Sequence, residues 1–519
     1  MKIERTKNSV KGIRYGIFLR IYQIFMPFIM RTLLIYYLGL QYAGLNGLFS
    51  SLLQVLNLAE LGVGSAMVFS MYEPIANDDT TKICALMQLY KKYYRIIGII
   101  ICISGIALIP FLKYLIEGDV PEDISIYILY IIELSVTVIS YWLYAYKGAL
   151  FTAHQRNDII SIIKIVTNTI QYGLQIVALL IWRNYYLFIL VALMSQILNN
   201  ILTGIWATHK YPEYQAKGNL EKNELKTVNQ RIRDLFTSKV GGVIVTSADT
   251  LVISAFLGLD PLAIYQNYFF ILSSIIGFIY VIHSSCLAGV GNSLITETEE
   301  KNYKDFTDYT FIVMWITGFC VCGLLCTYQD AMVLWQGKER LMSYDAVICL
   351  CIYFFVYELN QLLNVYKDAG GIWRKDRFRP LVTAVSNLVV NILLVQKWGL
   401  YGVLLSTVLS TVIVGMPWLF HNLFTTLFSP EKIKGYLFKI SKYAFTTGIL
   451  CVISILVCLG IPWIGWAAFL IKGLFCTVFF NVVYYFVFRK SDELINAVLI
   501  FDKITKNKFN LKKRIKKSD

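Results

Sequence analysis

Charged side chains inside long apolar segments are the residues of this sequence most able to do chemistry. Arg20 and Arg31 lie in the first such segment, Glu60 in the second, and Lys239 and Asp249 in the seventh. A charged side chain at the centre of a bilayer helix costs about 2.5–3.5 kcal/mol on insertion. We therefore expect that the chain uses these residues, and that they bind something polar or charged that must cross the membrane.

The spacing of these residues places them on polar stripes. Arg20, Gln23, Pro27 and Arg31 recur every three or four residues, which puts them on one face of a helix. Similar spacings occur at Lys164, Asn168, Gln171 and Gln175, at Lys239, Thr246 and Thr250, and at Thr383, Asn387 and Asn391. Each stripe predicts a helix that turns one polar face towards a cavity or a neighbouring helix.

Several of these residues also have a structural interpretation. Lys164 and Lys239 lie near the ends of their segments, where a lysine can reach the membrane interface. Arg20 and Glu60 lie at comparable depth, so they could form an ion pair with each other. Stripes of Asn and Gln also join helices through hydrogen bonds, which are worth about 0.6 kcal/mol on average. The sequence alone leaves open whether these residues have a structural role or bind a substrate.

Other ionisable side chains are candidates for binding a coupling ion. Glu133, Glu358 and His283 stand isolated within apolar segments. An ionisable residue at such a depth is a functional candidate because it is expensive to keep there. We name Glu60, Asp249 and Glu358 as the residues that would bind a coupling proton or sodium ion.

The elements that must position all these residues are membrane-spanning helices. Of the 519 residues 57% are hydrophobic, against about 45–50% in soluble domains, and the mean hydropathy is +0.59. Apolar segments of about 20 residues, each long enough to span a bilayer, recur about fourteen times. Such uninterrupted segments exclude a β-barrel, whose strands alternate over about 10 residues. We predict an all-α polytopic membrane protein with about 14 transmembrane helices.

The formal net charge of +15 follows from the placement of Lys and Arg. When the N-terminus is placed in the cytoplasm, basic residues gather in the inner connections, as at Lys210–Arg233 and Arg374–Arg379. The outer connections hold few. This asymmetry predicts cytoplasmic N- and C-termini and explains the charge without nucleic acid. The basic tail is also expected to lie against anionic membrane lipid.

Sequence signatures of enzymatic chemistry are missing from the chain. It has no P-loop, no HExxH zinc motif and no GxSxG nucleophile elbow. Its four histidines are dispersed, and its eleven cysteines form no CxxC pair. We predict no enzymatic activity, no metal site and no cofactor, and we interpret the cysteines as small apolar packing residues.

An internal repeat predicts how the helices are organised. RTLLIYYLGL at 31–40 is matched by DTLVISAFLGL at 249–259, and YKGA at 146–149 by YKDA at 366–369, in both cases about 220 residues later. Parallel repeats of this kind build two lobes with a substrate site between them. The predicted parts are an N-lobe (1–208, spans one to six), a cytoplasmic linker (209–235), a C-lobe (236–428, spans seven to twelve), spans thirteen and fourteen (429–488) and a basic tail (489–519).

The first helix of each predicted lobe carries a cation, so the cleft between the lobes should be basic. Arg20, Arg31 and Lys239 would then attract an anionic group, because guanidinium and ammonium groups bind phosphate oxygens. The predicted polar lining of the cleft comprises Gln23, Asn57, Asn168, Gln171 and Asn387.

The segment from Pro27 to Pro74 resembles a known family. Its pattern, LG-x-x-Y-x-GLNGLF, then LAELG-x-GSA, then YEP, is similar to the Wzx-like polysaccharide repeat-unit flippases of the multidrug/oligosaccharidyl-lipid/polysaccharide exporter superfamily. The resemblance implies two pseudo-symmetric six-helix lobes in a V, with two further C-terminal helices. It also implies transport of an undecaprenyl-diphosphate-linked oligosaccharide across the bacterial cytoplasmic membrane by alternating access, for O-antigen, capsule or exopolysaccharide.

The same resemblance implies roles for individual residues and partners. Arg20, Arg31 and Lys239 would bind the diphosphate, but Asp249 stands where the first lobe has Arg31, so the clamp would be asymmetric. A polysaccharide polymerase and a chain-length regulator are the implied protein partners, and one chain would work as a monomer.

Three rival functions remain at this level. A cation-coupled drug antiporter of the same fold would need an acidic, aromatic cavity instead of a basic one. A membrane-bound polymerase or ligase would need a large outer loop, whereas the outer connections here, such as 117–122 and 330–343, are short. A lipid II flippase is barely separable from the repeat-unit flippase by sequence.

Overall fold

The all-α membrane class that the sequence predicts is confirmed. A computed structural model describes residues 5–118, 120–461 and 465–504, and among these residues every regular element is a helix. Eleven helices in the described part of the chain are long and apolar enough to cross a membrane, or thirteen if each of two bent pairs counts as one span. Contacts divide the chain after Gln266 into two compact units.

The first unit is built from nine helices and the start of a tenth, counted within the described residues. These are α1 (Arg5–Tyr37), α2 (Leu40–Leu56), α3 (Val63–Ala76), α4 (Thr80–Leu108), α5 (Ile126–Trp142), α6 (Gly148–Ala153), α7 (Asn157–Val177), α8 (Tyr185–Lys210), α9 (Lys222–Leu257) and the beginning of α10 (Leu259–Thr296). Side-chain caps begin several of them: at α4, for example, Asp79 accepts a hydrogen bond from the Lys82 amide at 2.9 Å, and at α8 Asn184 accepts one from the Leu187 amide at 3.0 Å.

The second unit contains the rest of α10 and the helices that follow. These are α11 (Glu299–Gln336), α12 (Tyr344–Ala369), α13 (Trp373–Asp376), α14 (Arg379–Ser410), α15 (Met416–Thr426), α16 (Lys432–Leu459), α17 (Trp466–Phe488) and α18 (Asp492–Ile504). The apolar segment Trp373–Thr426 is 54 residues long, and the non-helical backbone of Gly399 interrupts α14 within it. The predicted count of about 14 spans and the two-lobe V stay predictions.

The sequence repeat has a counterpart in the backbone. Gly39, between α1 and α2, has φ 122° and ψ 173°, and Gly258, between α9 and α10, has φ 92° and ψ −175°. This region of backbone space is essentially restricted to glycine. The two LGL motifs therefore make the same kind of turn because each supplies a glycine at the same position.

The segment predicted as a linker is continuous with the seventh span. Helix α9 begins at Lys222 and runs unbroken to Leu257, with a capping box formed by Glu221 and Glu224 at its start. Contacts place α9 in the first compact unit. The sequence analysis had instead assigned the membrane part of α9 to the predicted C-lobe. The predicted domain boundaries stay predictions. Of the basic tail predicted at 489–519, residues 505–519 lie outside the described residues.

Candidate functional site

Two of the predicted polar stripes lie side by side in the first unit. Helix α1 packs against α7, and the Tyr22 hydroxyl lies 2.9 Å from the Thr169 hydroxyl oxygen. Gln23, next to Tyr22 on α1, and Asn168 and Gln171 on α7 are half-buried. The structure therefore brings the predicted amide groups of two spans onto neighbouring helices.

Further along α7, the polar side chains of the stripe are buried in a contact with a neighbouring helix. The Gln171 amide donates a hydrogen bond to the Gln175 side chain at 3.4 Å, and the buried Gln175 amide donates to the Phe188 carbonyl of α8 at 3.0 Å. Gln175 thus joins two helices, which is the structural interpretation of such a stripe. Gln171 lies between the surface part of the stripe and this buried part.

Arg20 is exposed on the α1 stripe. It forms no hydrogen bond or ion pair with any residue that the structure describes. The alternative in which Arg20 pairs with Glu60 is therefore absent from the described structure. A cation that has no partner among the described residues of an apolar span and its neighbours is available to an anion from outside the protein.

Arg31 is half-buried and contacts the start of α10. Its Nη2 atom donates to the Ala263 carbonyl at 3.2 Å and to the Gln266 side-chain oxygen at 3.4 Å. These hydrogen bonds tie α1 to the first turns of α10 within the first unit. Arg31 thus has a structural role in this conformation, and its contact with a phosphate stays a prediction.

Glu60 lies in a group of hydroxyl and amide side chains where the helix pair α2–α3 bends. A short 3₁₀ helix, Asn57–Glu60, precedes the bend. The Tyr94 hydroxyl donates to the Glu60 carboxylate at 2.9 Å, and the Tyr90 hydroxyl donates to Tyr94 at 2.7 Å. The Tyr141 hydroxyl donates to the Asn57 side chain at 3.1 Å. We call these five residues the Glu60 cluster.

Sequence analysis identified the two polar members of the Glu60 cluster but not its tyrosines. Tyr90 and Tyr94 stand one helical turn apart, and that spacing was a signal that could have been read. Tyr141 comes from α5, and no sequence pattern links it to Glu60. Its ring packs edge-on against Tyr94 at 5.2 Å between ring centroids.

Lys239 lies beside the Glu60 cluster. Its ammonium group donates to the Ser65 hydroxyl at 3.3 Å, and its charge acts on the Glu60 carboxylate. A Cβ atom added at Gly64 would meet the Tyr90 hydroxyl at 3.0 Å and Glu60 Oε1 at 3.3 Å. The side chains of the cluster are thus closely packed, with an exposed cation at their edge.

A second group of titratable side chains is buried in the second unit. His283 Nε2 lies 3.0 Å from Glu358 Oε2, and His283 Nδ1 lies 2.7 Å from the Tyr309 hydroxyl. The two residues that looked isolated in the sequence are therefore hydrogen-bonded to each other. Glu358 Oε1 has no hydrogen-bond partner among the described residues. A buried imidazole–carboxylate pair can exchange a proton, and the open oxygen can accept one.

Two other predicted site residues are buried. Asn387 is fully buried, and its amide donates to the Thr407 hydroxyl at 2.9 Å and to the Ser406 hydroxyl at 3.4 Å. These hydrogen bonds connect the two parts of α14 on either side of Gly399. Asp249 is buried on α9. The predicted roles of Asn387 in a cavity lining and of Asp249 in ion coupling stay predictions.

A family match covers the segments that carry most of these residues. The model of the polysaccharide biosynthesis protein family matches residues 9–288, which is more than half of the chain, and the chain therefore belongs to this family. The resemblance read from the segment Pro27–Pro74 is confirmed. Among curated proteins, none matches the sequence.

Solved structures show the fold. A structure of the lipid II flippase MurJ, in an inward closed conformation, matches with a TM-score of 0.64 and 16% sequence identity, covering 92% of this chain and 99% of that one. An inward-facing multidrug resistance MATE family transporter of the MOP superfamily matches with a TM-score of 0.62 and 13% identity, covering 82% and 99%. A mutant Vibrio cholerae MATE transporter matches with a TM-score of 0.57 and 12% sequence identity, covering 81% of this chain and 97% of that one. The chain thus has the fold of these membrane transporters.

Proposed function

We propose that this member of the polysaccharide biosynthesis family is a flippase for undecaprenyl-diphosphate-linked oligosaccharide repeat units. It moves them across the bacterial cytoplasmic membrane by alternating access, as a monomer with both termini in the cytoplasm, and it supplies a surface polysaccharide such as O-antigen, capsule or exopolysaccharide. The observation that carries the substrate class is Arg20. It is an exposed cation on the first span, without a partner among the described residues, beside a helix that bears amide side chains.

The two polar parts of such a substrate, the diphosphate and the sugars, each have a matching group in the first unit. The diphosphate is an anion, and a guanidinium group binds phosphate oxygens with two parallel hydrogen bonds. The half-buried amides of Gln23, Asn168 and Gln171 can donate to and accept from sugar hydroxyls. Arg31 and Lys239 complete the proposed diphosphate contacts, which would replace their present hydrogen bonds during the transport cycle.

Substitution of Arg20 tests this proposal. Purified chain in proteoliposomes would be given a fluorescent undecaprenyl-diphosphate oligosaccharide, and lectin accessibility would report its appearance in the opposite leaflet. A hydrogen bond to a charged group contributes about 1.5–3 kcal/mol, so Arg20→Gln should weaken substrate binding about 10- to 150-fold. Arg489→Gln, which removes an exposed arginine after α17, is the matched control and should transport normally. Equal transport by both variants would contradict the role of Arg20.

The same proteoliposomes separate the alternative substrates. Lipid II carries a diphosphate too, so the basic site alone does not choose between it and a repeat unit. Transport of lipid II without transport of the oligosaccharide would overturn the proposal in favour of a lipid II flippase. Uptake of a cationic drug against an ion gradient, without flipping of either lipid, would favour an antiporter.

We propose Glu60 as the group that couples transport to a cation. Its carboxylate accepts a hydrogen bond from Tyr94 and lies within the electrostatic reach of Lys239. When a phosphate draws the Lys239 charge away, Glu60 loses a compensating cation and takes up a proton or sodium ion instead. Asp249 and Glu358 are the other acidic candidates, and Glu358 is supported by its hydrogen bond to His283.

Carboxamide variants distinguish the coupling candidates. Glu60→Gln should abolish the dependence of transport on an imposed proton or sodium gradient, while Glu358→Gln and Asp249→Asn keep it. Tyr94→Phe should weaken the dependence because Glu60 loses a hydrogen-bond donor. Tyr93→Phe is its control, since the Tyr93 hydroxyl donates to Asn229 instead. Full gradient dependence in Glu60→Gln would exclude Glu60 as the coupling group.

A further inference from the structure

Cysteine thiols from separate helices converge in the interior of the second unit. Cys322 and Cys326 stand one turn apart on α11, and Cys476 comes from α17. All three residues are buried, and their sulfur atoms all lie within 4.8 Å of one another. We call these three residues the thiol cluster.

A third helix also contacts the cluster. Cys451 is a buried cysteine of α16, three residues before Ser454 on that helix. Cys322 in turn donates to the Ser454 hydroxyl of the same helix at 3.2 Å. The thiols of α11 and α17 thus meet at one point, and the Ser454 hydroxyl of α16 contacts them there. The sequence interpretation of the cysteines as small apolar packing residues does not account for this convergence.

The geometry matches the needs of a soft metal ion. With metal–sulfur bonds of about 2.3 Å, sulfur atoms around one ion are about 3.8–4.0 Å apart. The thiols of the cluster, which are at most 4.8 Å apart, need to close by less than about 1 Å to reach that separation. Soft thiolate ligands select Cu(I), zinc or iron–sulfur clusters over magnesium and calcium. Structural zinc takes four strong ligands, whereas the mutually close group here has three sulfurs, which suits Cu(I).

We propose that Cys322, Cys326 and Cys476 form a Cu(I) site that fastens α17 to α11. Each thiol that binds as a thiolate releases its proton to water, and the metal keeps its oxidation state, so no oxidant or reductant is needed. The site is separate from the Arg20 stripe and from the Glu60 cluster, and its role is to hold a C-terminal helix in place.

Copper binding tests the proposal on the full chain, purified in detergent under reducing and anaerobic conditions. The probe is Cu(I) held by a competing chelator, and the readouts are bound metal by mass spectrometry and the midpoint of thermal unfolding. The wild type should retain about one copper ion per chain and unfold at a higher temperature with copper. Cys322→Ala and Cys476→Ser should lose both effects while eluting as monodisperse protein.

Cys84→Ala provides the matched control. Cys84 is a buried cysteine of the first unit, on α4, whose thiol donates to the Glu213 carbonyl. This variant should retain copper like the wild type. Absence of copper from the wild type, retention of zinc in its place, or full copper binding by a folded Cys322→Ala would each overturn the proposal. So would a disulfide between Cys322 and Cys476 in the reduced preparation.

Discussion

Loss of the buried ion pair between Arg379 and Asp376 should destabilise the second unit strongly. Arg379 Nε lies 2.6 Å from Asp376 Oδ1, Nη2 lies 2.8 Å from Oδ2, and the two side chains are 7% and 3% exposed. Removing one partner of a buried pair costs about 3–5 kcal/mol, because the other charge is left without compensation. The Lys367 ammonium lies 3.8 Å from Asp376 and still compensates part of its charge when Arg379 is removed. We therefore expect Arg379→Gln to lower the free energy of unfolding by about 3 kcal/mol, near the lower end of that range.

Denaturant titration of the purified chain in micelles, followed by circular dichroism, measures the free energy of unfolding. The matched control is Lys301→Gln, which removes the pair Lys301–Asp305, whose side chains are 51% and 38% exposed. This exposed pair should contribute about 0.3–0.5 kcal/mol. The double variant Arg379→Gln/Asp376→Asn should lose less free energy of unfolding than the two single variants lose in sum, because both substitutions remove the same interaction. A loss for Arg379→Gln no larger than that of the control would refute the reasoning.

Two further predictions concern the first unit. Burial lowers the pKa of His154 below its ordinary value of 6.5, so its stabilising contribution is complete above about pH 6.5 and falls as the pH drops further. His154→Gln should therefore make the melting temperature less dependent on pH between about pH 5 and 7. A pH profile of the melting temperature that is the same in the variant and the wild type would count against this. Gly44→Ala sets a methyl group against the Leu259 carbonyl of α10 and should cost about 1–3 kcal/mol. Gly173→Ala, in open space on α7, should gain about 0.5–1 kcal/mol, and equal melting temperatures for the two variants would contradict this.

The membrane class and the family could be predicted from the sequence because both rest on local patterns. A span is an apolar segment of a given length, and the motif in Pro27–Pro74 is continuous along the chain. The repeat was readable for the same reason, and Gly39 and Gly258 confirm that its two LGL motifs make equivalent turns. The number of spans was harder to predict, because the helices do not correspond one to one with the apolar segments: α14 continues through Gly399, and α2 and α3 form one bent pair.

The composition of the candidate sites was only partly predictable. Helical spacing placed Arg20 and Gln23 on one face of α1 and Asn168 and Gln171 on one face of α7, but it did not say that these two helices pack together. Interhelical neighbours depend on which faces meet, and hydropathy does not identify the partner helix, because lipid tails are as apolar as the side chains that pack between helices. For that reason Lys239 was not expected beside Glu60.

The sequence by itself determined that this is a helical membrane protein of the polysaccharide biosynthesis family, and it located the charged residues within the apolar segments. The length of an apolar segment and the cost of a charge inside it are properties of the residues alone, so no fold is needed to read them. Only the tertiary structure decided which of those charges have partners. It left Arg20 exposed, tied Arg31 to α10, and paired Glu358 with His283. It also gathered thiols from α11 and α17, because side chains far apart in sequence meet only when their helices pack.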